Sequence, residues 1–309
     1  MLGARDDKQQ SKWGCPLTVS SNFEANHVEF LASLKVGDEN HPSAAVALSH
    51  VWIPDGTGST VAICGTAHVE YSWIQVPFSL KGEGNSSFTS SEFARPDRRF
   101  ESQTLALQTI SPRAGFFFQD CTTKNGQLLA LSSAVGTATV LSILNWTCDA
   151  CKGLEITGAD GSVTLFVHGK EQFPLAPAIV FHASLSGQNK ATLSHISVKL
   201  PDKRFQSQLP VLQPTFHNCD VVLEDVDADS VTATEFAQFV AKRAAVRAFV
   251  LQSSVTSTID FLDGTWAETV TVQASGSSNN RKFSTAVNVR ESKLGPTLHG
   301  SALSLLAQT

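Results

Sequence analysis

The sequence predicts an all-β protein made of three tandem, diverged copies of one strand-rich unit. Three observations predict it: the composition, an internal repeat with a spacing of 105 residues, and short apolar runs separated by turn residues. Apolar residues make up 42% of the 309 residues and charged residues only 17%, and Ser, Thr, Ala and Val are abundant. Such a composition favours strands, because helix-rich chains carry more Glu and Lys.

The repeat is clearest between residues 96–108 and 201–213, which are identical at eight of thirteen positions. The same spacing of 105 residues places Phe118-Gln119-Asp120 on Leu223-Glu224-Asp225. A third, shorter copy is predicted from Asp263-Gly264 onward. The resulting division is an N-terminal arm at 1–24 and units at 25–121, 122–226 and 227–309.

Each unit is predicted to be a β-sandwich or a small jelly roll, with at most one or two short helices in the chain. Six strands are expected in the first copy, at Glu29–Leu34, Ala44–Ile53, Ser59–Ala67, Trp73–Leu80, Phe100–Ile110 and Gly115–Cys121. A continuous β-solenoid is disfavoured because solenoid repeats are much shorter than 105 residues. Residues 235–247 fit a helix or a strand equally well, and the units could be separate or pack about a pseudo-threefold axis.

Charge and hydropathy exclude several classes of protein. The net charge is −5 and no Lys/Arg-rich run occurs, which argues against a nucleic-acid partner. The first residues are polar where a signal peptide needs an apolar core, and no stretch reaches the ~20 apolar residues of a membrane span. Six cysteines in a chain without a predicted secretory route indicate free thiols. We therefore expect a cytoplasmic or virion-associated protein with no membrane partner.

The most specific feature shared by the three copies is a basic pair before a phenylalanine. The pairs are Arg98 and Arg99, Lys203 and Arg204, and Arg281 and Lys282. Such pairs can bind phosphate, sulfated glycan or an acidic protein surface, because guanidinium groups grip oxyanions bidentately. The interpretation favoured over binding is local: the charges protect a strand edge from aggregation.

Three other groups could carry chemistry, and each has a structural alternative. Cys148 and Cys151 have zinc-ligand spacing but lack two further ligands, which favours free thiols. The acidic residues Glu224, Asp225, Asp227 and Asp229 could bind calcium or act in acid–base chemistry, although a solvated linker is favoured. Trp52, Trp73, Trp146 and Trp266 could form a sugar platform or pack in the core.

No catalytic motif and no cofactor-binding motif is recognisable, so we predict a protein that is not an enzyme. The leading hypothesis is a structural or assembly protein, most concretely a viral capsid or capsid-decorating component that acts through protein partners. This rests on analogy with tandem β-sandwich proteins. The alternative is a ligand-binding module, lectin-like or polyanion-binding, that uses the repeated basic pairs.

Overall fold

The computed structural model describes most of the chain, and every regular element in it is a β-strand. The described residues are 11–38, 44–54, 59–94, 104–124, 128–134, 136–149, 153–159, 162–169, 178–183, 189–196, 212–274, 284–295 and 303–308. No helix in this part of the chain is long and apolar enough to cross a membrane. The all-β prediction is therefore confirmed for the described residues.

The strands form three sheets, and the first, sheet A, contains short strands from the N-terminal half. Its members are β1 (Ser11–Trp13), β4 (Val28–Phe30), β7 (Trp52–Ile53), β9 (Trp73–Ile74), β12 (Glu92–Phe93), β15 (Thr122–Lys124) and β18 (Thr147–Asp149). They pair in that order along the sheet. Residues 11–24, predicted as part of an N-terminal arm, thus contribute β1 to this sheet.

Sheet B continues along almost the whole described chain. Its members are β2 (Leu17–Val19), β5 (Leu34–Val36), β8 (Val61–Glu70), β10 (Phe78–Gly82), β13 (Thr104–Thr109), β16 (Leu128–Ser133), β19 (Gly153–Ala159), β21 (Ala178–Ala183), β23 (Thr215–His217), β24 (Asp220–Thr234), β26 (Ala245–Ser253) and β28 (Trp266–Ala274). A two-residue strand, β30 (Lys293–Leu294), pairs with the start of β28.

Sheet C runs beside sheet B and shares two bent strands with it. Its members are β3 (Phe23–Asn26), β6 (Ala44–Ser49), the end of β8, β11 (Asn85–Thr89), β14 (Arg113–Gln119), β17 (Ala138–Leu144), β20 (Ser162–His168), β22 (Lys190–Ile196), the start of β24, β25 (Gln238–Lys242), β27 (Ser257–Leu262), β29 (Thr285–Arg290) and β31 (Leu303–Gln308). Because β8 and β24 pair on both sheets, they turn the corner between sheets B and C.

All pairings among the described strands are parallel, and neighbours in a sheet are one turn of chain apart. The turn length varies from 17 residues, between Ser11 and Val28, to 35 residues, between Val180 and Thr215. A chain that winds through three sheets in this way is a parallel β-helix. The predicted sandwich or jelly-roll units are wrong for these residues, because hairpin-connected strands would pair antiparallel.

The 105-residue repeat corresponds to four turns of this helix. Asp120 and Asp225 occupy the same corner after a sheet C strand, and the corner residues Asn145, Gly169 and His195 lie between them. Residues that are equivalent in the two copies therefore lie at the same position within a turn of the helix. The predicted unit boundary between residues 226 and 227 falls inside β24, and the buried apolar residues from Ala25 to Val287 form one cluster.

Residues 235–247 contain β25 and the start of β26, joined by corner residues, so the helical alternative is wrong. Glu235 has a left-handed backbone with φ 55°, and it turns the chain between the end of β24 at Thr234 and Phe236. Phe236 and Phe239 are both buried, and their i, i+3 spacing imitates a helix face because Phe236 lies in the corner that precedes β25.

Left-handed residues mark the corner that follows sheet C. His27, His50, Tyr71, Ser90 and Asp120 there have φ between 47° and 55°. In each case the backbone N–H donates to a carbonyl one turn further on, as His50 does to Glu70 at 3.1 Å. The left-handed residue lets the chain turn sharply while the parallel ladder continues.

A column of buried hydroxyl groups lies just after this corner. Ser72 accepts a hydrogen bond from the Val51 N–H at 3.1 Å, and Ser91 accepts one from the Ser72 N–H at 3.2 Å. Both side chains also donate back to a carbonyl two residues earlier. Near the C-terminus, the Thr265 hydroxyl likewise accepts a hydrogen bond from a backbone N–H, that of Ala244, and donates one to the Ala241 carbonyl. These hydroxyls supply the bonds that buried backbone groups require.

The winding predicts which thiols react in the folded protein. Cys15 is exposed, whereas Cys64, Cys121 and Cys219 are buried. Burial raises the pKa of Cys121 to about 11 and also raises the pKa of Cys219, and only a thiolate is nucleophilic. Peptide mapping after iodoacetamide treatment at pH 7.5 is expected to find Cys15 modified in native protein and the three buried thiols modified only after denaturation. Modification of Cys121 in native protein would contradict the described core.

Candidate functional site

The predicted basic pairs cannot be placed, because Arg98, Arg99, Lys203, Arg204, Arg281 and Lys282 lie outside the described residues. The backbone of Cys148 belongs to β18, but its side chain and all of Cys151 also lie outside them. Among the residues that are described, no three His, Cys, Asp or Glu side chains cluster in a way that could hold a metal ion.

The predicted acidic cluster is part of a strand rather than a linker, and cations pair with Glu224, Asp225 and Asp229. The Arg243 guanidinium donates to Asp225 Oδ1 at 2.6 Å and to Glu224 Oε1 at 2.6 Å. Lys242 Nζ lies 3.5 Å from the same Glu224 oxygen, and Arg247 pairs with Asp229. The Arg243 hydrogen bonds hold the pKa of both Glu224 and Asp225 below the ordinary range. Carboxylates paired in this way are poorly suited to general-acid chemistry.

The four predicted platform tryptophans separate into different environments. Trp146 is buried, and its Nε1 donates to Thr123 Oγ1 at 2.9 Å, so it is a core residue. Trp266 is exposed at the start of β28. Trp52 and Trp73 occupy paired positions on neighbouring strands of sheet A, and their rings stack with centroids 5.9 Å apart.

Trp52 and Trp73 belong to a larger surface group that we call the aromatic corner, whose members are His27, His50, Trp52, Tyr71 and Trp73. The His27 and His50 rings stack with centroids 4.6 Å apart, and His50 stacks on Tyr71 at 5.2 Å. The group holds two of the five tryptophans and the only tyrosine of the chain. It therefore concentrates the residues most often found at binding hot spots.

The carboxylates beside the tryptophan pair are neutralised. In the outward row of sheet A, Glu29 precedes Trp52 and Glu92 follows Trp73. Lys12 Nζ lies 3.2 Å from Glu29, and Lys124 Nζ lies 2.8 Å from Glu92. Beside these two ion pairs, the exposed Glu70 carboxylate accepts a hydrogen bond from Ser49 Oγ next to His50 and Tyr71.

A second surface, which we call the apolar row, runs along the outside of sheet C. Parallel pairing aligns Phe117, Ser142, Phe166, Thr192 and Val222 on five successive strands. Phe117 is 38% exposed, Phe166 45% and Val222 36%. Bulky apolar side chains therefore alternate with small hydroxyl side chains along the row.

Sequence reasoning missed both surfaces as groups. Neighbours in the apolar row are 24 to 30 residues apart in the chain, and Trp52 and Trp73 are 21 apart. The one signal available was the scarcity of Trp and Tyr, which made their positions worth comparing. No known protein family model, no curated protein and no solved structure matches this chain.

Proposed function

We propose that the protein is a non-enzymatic structural component whose copies assemble through the apolar row. A capsid or capsid-surface protein is the most concrete form of this proposal, with a cytoplasmic or virion location and protein partners. The observation that carries it is the exposure of Phe117, Phe166 and Val222 in one aligned row. Exposed apolar side chains that are grouped on one face, rather than scattered singly, mark contact surfaces.

The partner that best fits the apolar row is a second copy of the chain. Two rows that meet face to face and antiparallel can place Phe166 of each copy over Thr192 of the other, while Val222 of each copy covers Ser142 of the other. Bulky side chains then fill the spaces above small ones, as packing at interface cores requires. An interface in which the same patch serves both copies closes as a dimer.

The dimensions of the row suit such a contact. Strands in a sheet are about 4.8 Å apart, so five strands span about 19 Å. A standard interface covers about 800 Å² per partner, with its hot spots near the centre. The row would supply that centre, and Leu144, which is 37% exposed, lies beside it.

Self-association is expected to depend on Phe166. Sedimentation velocity of the full chain between 1 and 100 μM should show concentration-dependent association. Phe166→Glu should weaken that association at least a hundredfold, because each copy would bury an unpaired carboxylate. The matched control is Val250→Glu on sheet B, where the side chain is 41% exposed and outside the row.

Circular dichroism of both variants should match that of the unsubstituted chain, since neither side chain is in the core. The proposal fails if the unsubstituted chain is monomeric throughout this range. It also fails if Phe166→Glu associates as strongly as Val250→Glu.

A further inference from the structure

We propose that copies of this chain stack end to end, so that the last turn of one β-helix covers the first described turn, β1 to β3, of the next copy. The contact uses the two ends of the winding and does not rest on the apolar row. A free strand edge is a template for another strand, and repeat proteins stay soluble when a polar terminal unit covers the core. The described residues of the first turn supply no such cover.

The inward apolar side chains of the first described turn are exposed. Trp13 is 46% exposed, whereas Phe30, its partner one turn further on, is 3% exposed. Leu17, Val19 and Phe23 are likewise only partly buried, and each pairs with a residue of the next turn that is at most 1% exposed. This turn is therefore an open end of the apolar core.

The backbone of the same turn has a free edge. β1, β2 and β3 each pair with only one of the described strands, namely β4, β5 and β6. Leu17 and His27 donate their N–H groups toward those partners, and alternate residues of a strand direct theirs to the opposite side. An occupant of this end must therefore supply extended chain beside all three strands. The residues whose backbone groups point toward it include Lys12, Thr18 and Glu24.

The other end of the winding has a matching arrangement. β30 and β31 each pair with only one of the described strands, β28 and β29 respectively. Leu294 packs on the core but is only partly buried. It lies three residues after the left-handed corner residue Glu291, as Phe30 does after His27. Leu294 therefore occupies the position in its turn that Trp13 occupies in the first.

The strands of sheet C keep one register from the first turn to the last. Pairing from strand to strand connects Phe23 to Leu305 and Ala25 to Ala307. A copy that stacks in this register sets its β3 beside β31 of the preceding copy. Apolar positions then meet apolar positions, and the parallel ladder continues across the joint.

A second copy in head-to-tail orientation is the occupant that fits this end. The end presents parallel edges around one apolar core, and the last turn of another copy supplies edges with the same direction and register. Two first turns placed head to head would instead run antiparallel and lose that register. Because the head-to-tail contact uses different surfaces on the two copies, it repeats without closing and gives a filament.

One charge pair weakens the joint. Lys293 precedes Leu294 as Lys12 precedes Trp13, so stacking places the two lysines at paired positions. Lys293 is exposed, and Lys12 lies 3.2 Å from Glu29. Like charges directly opposite each other on neighbouring strands are destabilising, so we expect stacking at protein concentrations above about 100 μM.

The test is small-angle X-ray scattering of Phe166→Glu between 0.1 and 1 mM, because this substitution removes the association proposed for the apolar row. The sheet C strands follow one another at about 4.8 Å, so one copy extends about 60 Å along the axis. The maximum dimension should grow in steps of about 60 Å while the cross-section stays constant. A constant maximum dimension up to 1 mM would overturn the proposal, and so would growth of the cross-section alone.

Two pairs of variants in the Phe166→Glu background assign the contact to the ends. Lys293→Glu places an opposite charge beside Lys12 and should tighten association at least threefold, whereas Lys190→Glu, the same charge change on β22, should not. Glu24→Pro removes an outward N–H from β3 and should weaken association at least tenfold, whereas Glu24→Ala keeps it and should not. Circular dichroism checks that each variant is folded. Equal association of Lys293→Glu and Lys190→Glu contradicts the proposed joint.

A variant that lacks residues 1–10, which lie outside the described residues, tests the other occupant of this edge. It should associate as the full chain does. If only the shortened chain forms rods, the chain's own first residues occupy the edge and the proposal is wrong. In the chain that keeps Phe166, Glu24→Pro should leave association through the apolar row unchanged, so this proposal and the proposed function fail separately.

Discussion

Replacing Phe239 by Ala is expected to lower the free energy of unfolding by about 3–5 kcal/mol, the range for removing a buried phenylalanine. Phe239 is fully buried, and its ring meets those of Phe236, Phe249 and Phe261 at centroid distances of 5.9, 5.7 and 6.4 Å. Phe261 lies on β27, one turn further along the chain, whereas Phe236 and Phe249 are within one turn's length of Phe239. The substitution therefore removes contacts between turns as well as within one turn. Urea denaturation followed by circular dichroism measures the loss.

The matched control for this prediction is Phe166→Ala, measured at a protein concentration where the chain is monomeric. The same atoms are removed, but the Phe166 ring is 45% exposed, so the expected loss is below about 1 kcal/mol. Equal losses at the two positions would contradict the described packing.

Hydrogen exchange should also locate the effect of Phe239→Ala. In a solenoid each turn contacts only the turns next to it. The free energy of unfolding is therefore close to a sum of the stability of each turn and the energy of each contact between neighbouring turns. Protection should fall first in β24, β25 and β27, whose strands pair around Phe239. Protection in β5 and β10, many turns away, should change little. A uniform loss would mean that the chain unfolds as a single cooperative unit.

The all-β class could be predicted from the sequence because strand preference is local. Runs such as Thr104–Thr109 alternate apolar and polar residues, and the structure places them in strands. Pairing direction is not local in this sense, because an alternating run looks the same whether its neighbour is parallel or antiparallel. The parallel winding therefore had no local signature.

The internal repeat was detected correctly as a sequence feature and interpreted at the wrong scale. Turn length varies between 17 and 35 residues, so single turns leave no fixed period in the sequence. Four turns together do give a fixed period, because Asp120 and Asp225 lie 105 residues apart at the same corner. A duplication of several turns at once accounts for this relation.

The corner residues explain why the turns could not be identified one by one. His, Tyr, Ser, Asp, Asn and Arg all occupy the left-handed position, at His27, Tyr71, Ser90, Asp120, Asn145 and Arg243 among others. Glycine would fit without strain, yet it is not required where the ladder fixes the backbone. With so many residue types accepted, no corner motif emerges from the sequence.

The aromatic corner follows from the same variability. Because the left-handed position tolerates rings, His27, His50 and Tyr71 can stack at successive turns. Stacking between turns offsets part of the cost of exposing the rings. The sequence could therefore indicate which side chains were unusual, but only the winding brings them together.

Thr265→Val is expected to lower the free energy of unfolding by about 2–3 kcal/mol, although it conserves side-chain volume, because buried polar groups lose their partner. Thr265 is fully buried, and its hydroxyl lies 2.9 Å from the Ala241 carbonyl oxygen and 2.8 Å from that of Leu262. It also accepts a longer bond of 3.4 Å from the Ala244 N–H. Valine cannot replace these bonds.

Two companion variants assign the loss to the hydroxyl group. Thr265→Ser keeps the hydroxyl and removes one methyl group, so it should cost about 1 kcal/mol, less than Thr265→Val. Thr269→Val removes a hydroxyl that makes a 3.4 Å bond to the Arg247 carbonyl in a half-buried position, and it should change stability by less than about 0.5 kcal/mol. Urea denaturation measures all three variants. If Thr265→Ser is the more damaging of the two substitutions at this position, packing of the methyl group dominates there, and the buried hydroxyl column does not hold the corner.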